Sequence, residues 1–192
     1  MPAIKIILAS ASPRREMLLK ELIGDSFVIF PVDIDESVLA DEKPATHTLR
    51  LARAKALKAG ESFADGLIIG SDTIVTIDNR ILGKPTDTND AEYMLKSLRG
   101  KTHSVITSFC ILEAHSNHEL TRTVESRVTI KELTDNEITD YIATGEPMDK
   151  AGSYAAQGLG RKLIEKLEGS YTNVVGLPLD ELKQSLEAFN NS

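Results

Sequence analysis

Ile4-Lys5-Ile6-Ile7-Leu8-Ala9-Ser10-Ala11-Ser12-Pro13-Arg14-Arg15 reads as a strand running directly into a helix. The apolar run from Ile4 to Leu8 is the strand. Beyond it, Leu18 and Leu22, and Leu19 and Ile23, stand at the i,i+4 spacing of a helix face. Ser12 is suited to the N-cap and Pro13 to the first helical position. Arg14 and Arg15 then fall in the first turn, where the helix dipole already places about half a positive charge. Two cations at that end point to an anion, and a phosphate is the usual one at a helix N-terminus. The competing reading is that both arginines simply face solvent.

The same alternation of strand and helix continues. Phe27 to Ile34 reads as a second strand, with Asp33, Asp35 and Glu36 at its end, and Pro44 to Lys58 as a helix stopped by Gly60. Leu67-Ile68-Ile69-Gly70 is a continuous apolar run, as in a strand buried on both faces, and it delivers Ser71-Asp72-Thr73 where the strand opens into a loop. Ile74 to Ile77 continues extended to a turn near Asp78-Asn79-Arg80. Asp87 to Arg99 is a helix closed by Gly100. His103–Glu113 and Thr121–Lys131 pair as a hairpin across Ser116-Asn117-His118-Glu119. Thr134 and Glu137 form a capping box, a glycine-punctuated stretch runs from Lys150 to Gly160, and Leu163 to Leu167 is a strand. The last helix spans Pro178 to Phe189. The pattern predicts an α/β fold with a mixed sheet and flanking helices.

Composition limits the chemistry. The 192 residues suffice for one domain with its own core, taken as 1–192. The net charge of −7 offers no basic field for nonspecific nucleic-acid binding, and an aromatic content of 5% with no Trp argues against a base-stacking platform. Phosphate chemistry must therefore rest on a local cationic cluster. The single Cys110, in an apolar run, is expected in the core, which suits a reducing cytoplasm. No apolar run reaches the length of a signal peptide core or a membrane span. His115-x-x-His118 lacks acidic or thiol company at metal-ligand spacing. The last helix, apolar on one face, permits a homodimer.

Candidate site residues emerge at element ends. Asp72 and Glu36, brought together from separate strand ends, are the kind of carboxylates that hold Mg²⁺ with part of its water shell. Asp33 and Asp35 read better as turn formers. Lys84, in Gly83-Lys84-Pro85, sits on a short rigid loop. Arg50, Arg53, Lys55 and Lys58 populate the polar side of the second helix, which on its own is a solvated face. Together these residues suggest metal-assisted chemistry on a polyphosphate. No P-loop, no dinucleotide-binding glycine motif, no nucleophile elbow and no Cys–His pair is present.

Taken in order, Leu8–Arg15, Arg50–Ala56, Gly70–Val75, Leu82–Pro85, Leu98–Val105, Asp149–Tyr154 and Val175–Pro178 resemble the Maf family of nucleoside triphosphate pyrophosphatases nearly end to end. The resemblance implies two lobes around a cleft, as in inosine-triphosphate pyrophosphatases, and cleavage between the α- and β-phosphates; the paired carboxylates add the expectation of Mg²⁺ or Mn²⁺. By position, Asp72 matches the family's proton acceptor, and Glu36 and Lys84 match residues working with it. Glu36 and Asp72 are also the candidate metal ligands. Ser10, Arg15 and Lys55 match phosphate-side residues. Arg14, Thr73 and Gln157 resemble the branch acting on dTTP, UTP and modified pyrimidine triphosphates, whereas relatives acting on 7-methyl-GTP carry Trp and Glu at the places of Arg14 and Gln157. A glutamine amide both donates and accepts, matching the O4 and N3–H edge of uracil or thymine. A purine-directed house-cleaning enzyme and a nucleotide-sensing regulator of cell division are the alternatives.

Overall fold

Residues 5–116 and 118–189 are described by the structure, a computed structural model. Ile4, at the head of the first expected strand, and Asn117, in the expected hairpin turn, lie outside them. The chain enters through β1 (Ile6–Ala9) and α1 (Pro13–Ile23), and the Ser12 hydroxyl accepts a hydrogen bond from the Arg15 amide at the helix start. Ser12 and Pro13 thus occupy the capping and first positions that their chemistry favours.

Then follow β2 (Phe27–Ile29), α2 (Pro44–Gly60), β3 (Leu67–Ile77), β4 (Arg80–Leu82) and α3 (Thr88–Leu98). The second half contains β5 (Thr102–Glu113), β6 (Glu119–Ile130), α4 (Asp135–Ala143), β7 (Ile164–Glu168), α5 (Tyr171–Val175) and α6 (Leu179–Phe189). Three short 3₁₀ turns, Glu146–Asp149, Ala151–Ser153 and Gly158–Leu163, fill the glycine-punctuated stretch before β7. The strands form one mixed sheet in the order β2-β1-β3-β5-β6-β7, with β4 added to β3. β1 runs parallel to both β2 and β3, whereas β3–β4 and β6–β7 are antiparallel.

Two expectations change. The second strand stops at Ile29 and not at Ile34, because its partner β1 runs only one residue further: Leu8 pairs with Ile29, and Leu8 then accepts the Phe30 amide as the chain leaves the sheet. Phe30 and Val32 still pack on the core, but from irregular backbone. Glu36 therefore lies in a loop and not at a strand end. Conversely, Leu67 to Ile77 is one unbroken strand, so Asp72 sits in its middle. Asp78 and Asn79 both take positive φ (49° and 60°), the geometry of a tight two-residue hairpin turn into β4.

The chain divides into two compact units. The first comprises Met1–Asp72, Thr107–Val124 and Gly176–Ser192. Its core joins one face of the sheet (Ile7, Ala9, Ile68) to Ala56 and Ala59 of α2, with Cys110 buried among them as expected. Burial pushes the Cys110 thiol up to about 12, so it remains protonated and inert. The second unit comprises Thr73–Ile106 and Glu125–Val175. In it α3 buries Ala91, Met94, Leu95 and Leu98 and packs on α4. Both bonds of the Thr134–Glu137 capping box are made. The short α5 has too few residues for a periodicity to announce it. Asn173 fixes it by donating to Val105 O at 3.0 Å and Ser126 Oγ at 2.9 Å. No helix among the described residues is long and apolar enough to cross a membrane.

Candidate active site

Strand alternation decides which way Asp72 points. Successive residues of β3 face opposite sides of the sheet, so Ile68, Gly70 and Asp72 share one face and Ile69 and Ser71 the other. The first face meets α2. On α2, Leu51, Ala52, Lys55, Ala56 and Ala59 form the buried stripe, spaced by three and four. Lys55 thus belongs to the buried face and not to the solvated one on which its neighbours in sequence placed it. The helix wheel carries the reason: Lys55 lies four residues beyond Leu51 and three beyond Ala52. Arg50, Arg53 and Lys58 are the members of that basic run which do face outward, paired with Glu42, Glu119 and Glu61.

Lys55 Nζ lies 2.8 Å from Asp72 Oδ1 and 2.7 Å from Glu36 Oε1. The Lys55 and Asp72 side chains are only 9% and 10% exposed, and Glu36 is 52% exposed. One ammonium therefore ties a buried carboxylate on a strand to a half-exposed carboxylate on a loop. A buried carboxylate demands such a partner, and this is how Asp72 is tolerated mid-strand.

The other face of β3 leads to Arg15. Ser71 Oγ donates to Gly176 O at 3.2 Å, and Arg15 Nε donates to the same oxygen at 2.9 Å. Arg15 NH1 reaches Ser10 Oγ at 3.3 Å, and Ser10 Oγ also accepts the Ser12 amide at 3.1 Å. Burial lowers the Arg15 pKa, and the negative charges of Asp72 and Glu36 pull it back up against the neighbouring Arg14. Arg15 remains a guanidinium. Ser10, Arg15, Glu36, Lys55 and Asp72 are therefore all held within the first unit. The Val175–Pro178 motif, to which the sequence assigned no role, supplies through Gly176 the carbonyl that orients Arg15. A backbone acceptor leaves no residue-type signal beyond the motif itself.

Thr73, Lys84 and Gln157 belong to the second unit. Thr73 follows Asp72 on β3, Lys84 is exposed on the loop after β4, and Gln157 is half-buried immediately ahead of a 3₁₀ turn. Arg14, in the first turn of α1, is half-buried.

Among the described residues no three His, Cys, Asp or Glu side chains converge as a metal cage. The donor set nevertheless suits one kind of ion. Glu36 and Asp72 present hard carboxylate oxygens around a shared cation, and Mg²⁺ or Mn²⁺ commonly takes one or two carboxylates with phosphate oxygens and water completing the shell. The shared cation at present is the Lys55 ammonium.

Comparison with known proteins bears on family and fold. A family profile described as Maf-like protein matches residues 5–189. A dTTP/UTP pyrophosphatase of Geobacter sp. (strain M21) is 49% identical over 181 residues, covering 94% of this chain and 93% of its own. One from Methanosarcina mazei is 43% identical over 183 residues, covering 95% and 93%. Among solved structures, a HAM1 protein from Coxiella burnetii superposes with a TM-score of 0.55 at 14% identity, over 96% of this chain and 99% of that one, a likeness of fold alone.

Proposed function

Because the chain belongs to the Maf family, we propose that residues 1–192 act as a single Maf-like domain that hydrolyses dTTP and UTP to the nucleoside monophosphate and pyrophosphate. The observation that carries the site assignment is the Lys55 bridge between Asp72 and Glu36, with the Arg15 guanidinium close enough to feel both carboxylates. Such a cluster of fixed opposite charges is what phosphoryl chemistry requires, since stabilisation of developing charge dominates over covalent steps.

In this reading a water oxygen attacks the α-phosphorus, the bond to the bridging oxygen breaks, and pyrophosphate leaves. Asp72 orients the water and takes its proton. Lys55 keeps the Asp72 carboxylate aimed. Arg15, seated on Ser10 and Gly176, offsets charge on the phosphates, and Lys84 is assigned the same task on the leaving group. Glu36 and Asp72 are the residues that would hold Mg²⁺ or Mn²⁺, whose part would be to neutralise phosphate charge. Arg14, Thr73 and Gln157 are assigned to choice of base. Pyrimidine triphosphates are favoured over the purine alternative by the relatives' activity and by the glutamine at 157.

The test is pyrophosphate release from each common nucleoside triphosphate, with Mg²⁺, with Mn²⁺ and with chelator. Turnover of dTTP and UTP above the rest supports the reading, and no turnover of any triphosphate overturns it. Asp72→Asn is expected to lose at least about a hundredfold in kcat while keeping its fold, the usual cost of removing a positioned proton acceptor.

A further inference from the structure

Glu36 stands in irregular backbone. It lies half-exposed between Ile29 and Pro44, where the chain has no helix or strand. The segment around it is nonetheless tied down. Asp35 Oδ1 accepts the Ser37 amide at 2.9 Å, and Ser37 O accepts Arg50 NH2 at 2.9 Å. The Leu39 amide donates to Glu42 Oε2 at 3.1 Å, and the Glu42 amide returns a bond of 3.1 Å to Leu39 O. Glu42 is itself held by a fork from Arg50, Nε to Oε1 at 2.6 Å and NH2 to Oε2 at 2.8 Å, with His47 Nδ1 2.8 Å from Oε2.

The bonds that reach the segment from outside have one origin. Arg50 and His47 lie on α2, the helix that also carries Lys55. α2 therefore grips the segment twice: Lys55 holds the Glu36 carboxylate, and Arg50 holds the backbone carbonyl of the next residue. We propose that Arg50 and Glu42 are positioning residues for Glu36, a clasp that sets its backbone so that its carboxylate meets Lys55, the cation it shares with Asp72. The inference rests on the role given to Glu36 under Proposed function.

The chemistry of the clasp favours arginine. A guanidinium has planar donors in fixed directions, so pinning Nε and NH2 on Glu42 aims the second NH2 hydrogen at Ser37 O. An ammonium at the same place is one point charge on a flexible stem and cannot keep both partners in a set geometry. The Glu42 side chain is only 5% exposed, and the Arg50 fork is the first cause holding its carboxyl well below the usual carboxylate range. The pair stays ionised throughout the working pH range.

The test uses Arg50→Lys, which keeps the charge and loses the fork, and Glu42→Gln, which keeps the shape and loses the charge. Each is made in the wild type and in a Glu36→Gln background, with amide hydrogen exchange and dTTP turnover as readouts. Both variants are expected to speed exchange of the amides between Glu36 and Lys43. Both should also lower kcat about tenfold, the scale on which small misplacements of a reacting group register. In the Glu36→Gln enzyme the same changes should cost less than about twofold more, because effects acting through one residue do not add. Unchanged exchange overturns the clasp. Losses that multiply in the Glu36→Gln background overturn its action through Glu36. A Glu36→Gln enzyme of normal turnover overturns the catalytic role of Glu36 and the purpose of the clasp together. That failure is distinguishable from the others, since exchange in Arg50→Lys would still accelerate.

Discussion

A Cβ built on Gly70 would stand 2.1 Å from the carbonyl oxygen of Ala52, and 2.7 Å from the Ala56 amide nitrogen. α2 lies against β3 at backbone contact, and only the absence of a side chain permits it. Asp72 is two residues further along the same strand face and Lys55 three further along the helix. The Gly70–Ala52 approach therefore sets the Lys55–Asp72 distance. Gly70→Ala is expected to push the helix outward, destabilise the fold by about 3 kcal/mol or more, at or beyond the upper end for overpacking, and lower turnover. Thermal unfolding and kcat read the two effects. Because the clash is with backbone oxygen, adding Ala56→Gly should not restore either, and recovery in that double variant would count against the account.

Lys55 occupies the place between two carboxylates that a metal ion would want. A chelator is expected to abolish turnover, and added Mg²⁺ or Mn²⁺ to restore it. Lys55→Gln removes the competing charge, so Mn²⁺ should bind more tightly, by about 1 kcal/mol or somewhat more for relief of one partly screened like-charge contact. Turnover should nevertheless fall, since Asp72 loses the partner that aims it. Mn²⁺ titration followed by electron paramagnetic resonance measures the first effect. An affinity unchanged by Lys55→Gln would place the ion away from Glu36 and Asp72.

The first strand and helix were legible in the sequence because their signals are local. Ser12, Pro13 and the i,i+4 leucines each act within one turn. Asp72 was legible as a functional candidate but misplaced as a strand end. Ser71, Asp72 and Thr73 look like a loop when polarity alone is read. They remain in a strand because distant groups satisfy Ser71 and Asp72: Gly176 O from the residue just after α5, and Lys55 from α2. Lys55 was misread for the complementary reason, since a lysine on a buried helix face makes sense only beside a carboxylate that the helix sequence does not contain. Glu36 depended on the length of β2, and that is set by where β1 ends. Arg50 reads in the sequence as ordinary charge on a solvated helix face. Its meaning lies in the backbone oxygen of Ser37, and no sequence pattern marks that atom.

His103 makes stability depend on pH. It is buried against Tyr154, with Nε2 2.7 Å from the phenol oxygen, and burial pushes its pKa down to about 4. Below about pH 6.5 the unfolded chain takes up a proton at this residue and the native chain does not. The unfolded state then binds more protons, so this contribution is complete above that pH and is lost as pH falls toward 4. Between pH 7 and pH 5 it amounts to about 2 kcal/mol. Urea unfolding at both values, for the wild type and for His103→Gln, should show that much extra loss in the wild type. Parallel pH dependence of the two would refute it.

Gln157 provides the sharpest test of substrate choice. The backbone just beyond it is fixed by Glu146, whose carboxylate accepts the Leu159 amide at 3.0 Å, the Gly160 amide at 2.7 Å and the Tyr141 hydroxyl at 2.8 Å. Gly158 has φ +62°, and a Cβ there would meet Glu146 Oε1 at 2.3 Å. The amide of Gln157 is thus carried on a short, rigid stretch, as a group that reads hydrogen bonds must be. Gln157→Glu replaces a donor–acceptor pair by two acceptors. It should lower kcat/KM for dTTP and UTP by about ten- to hundredfold, the cost of one unmade hydrogen bond in a desolvated site, and narrow the gap to guanine nucleotides. Glu146→Gln loosens the stretch that carries the amide, so it should lower kcat/KM for dTTP and UTP and narrow the gap to the other bases, though less than Gln157→Glu does. If Gln157→Glu lowered all substrates equally, the residue would be supporting the fold and not reading the base.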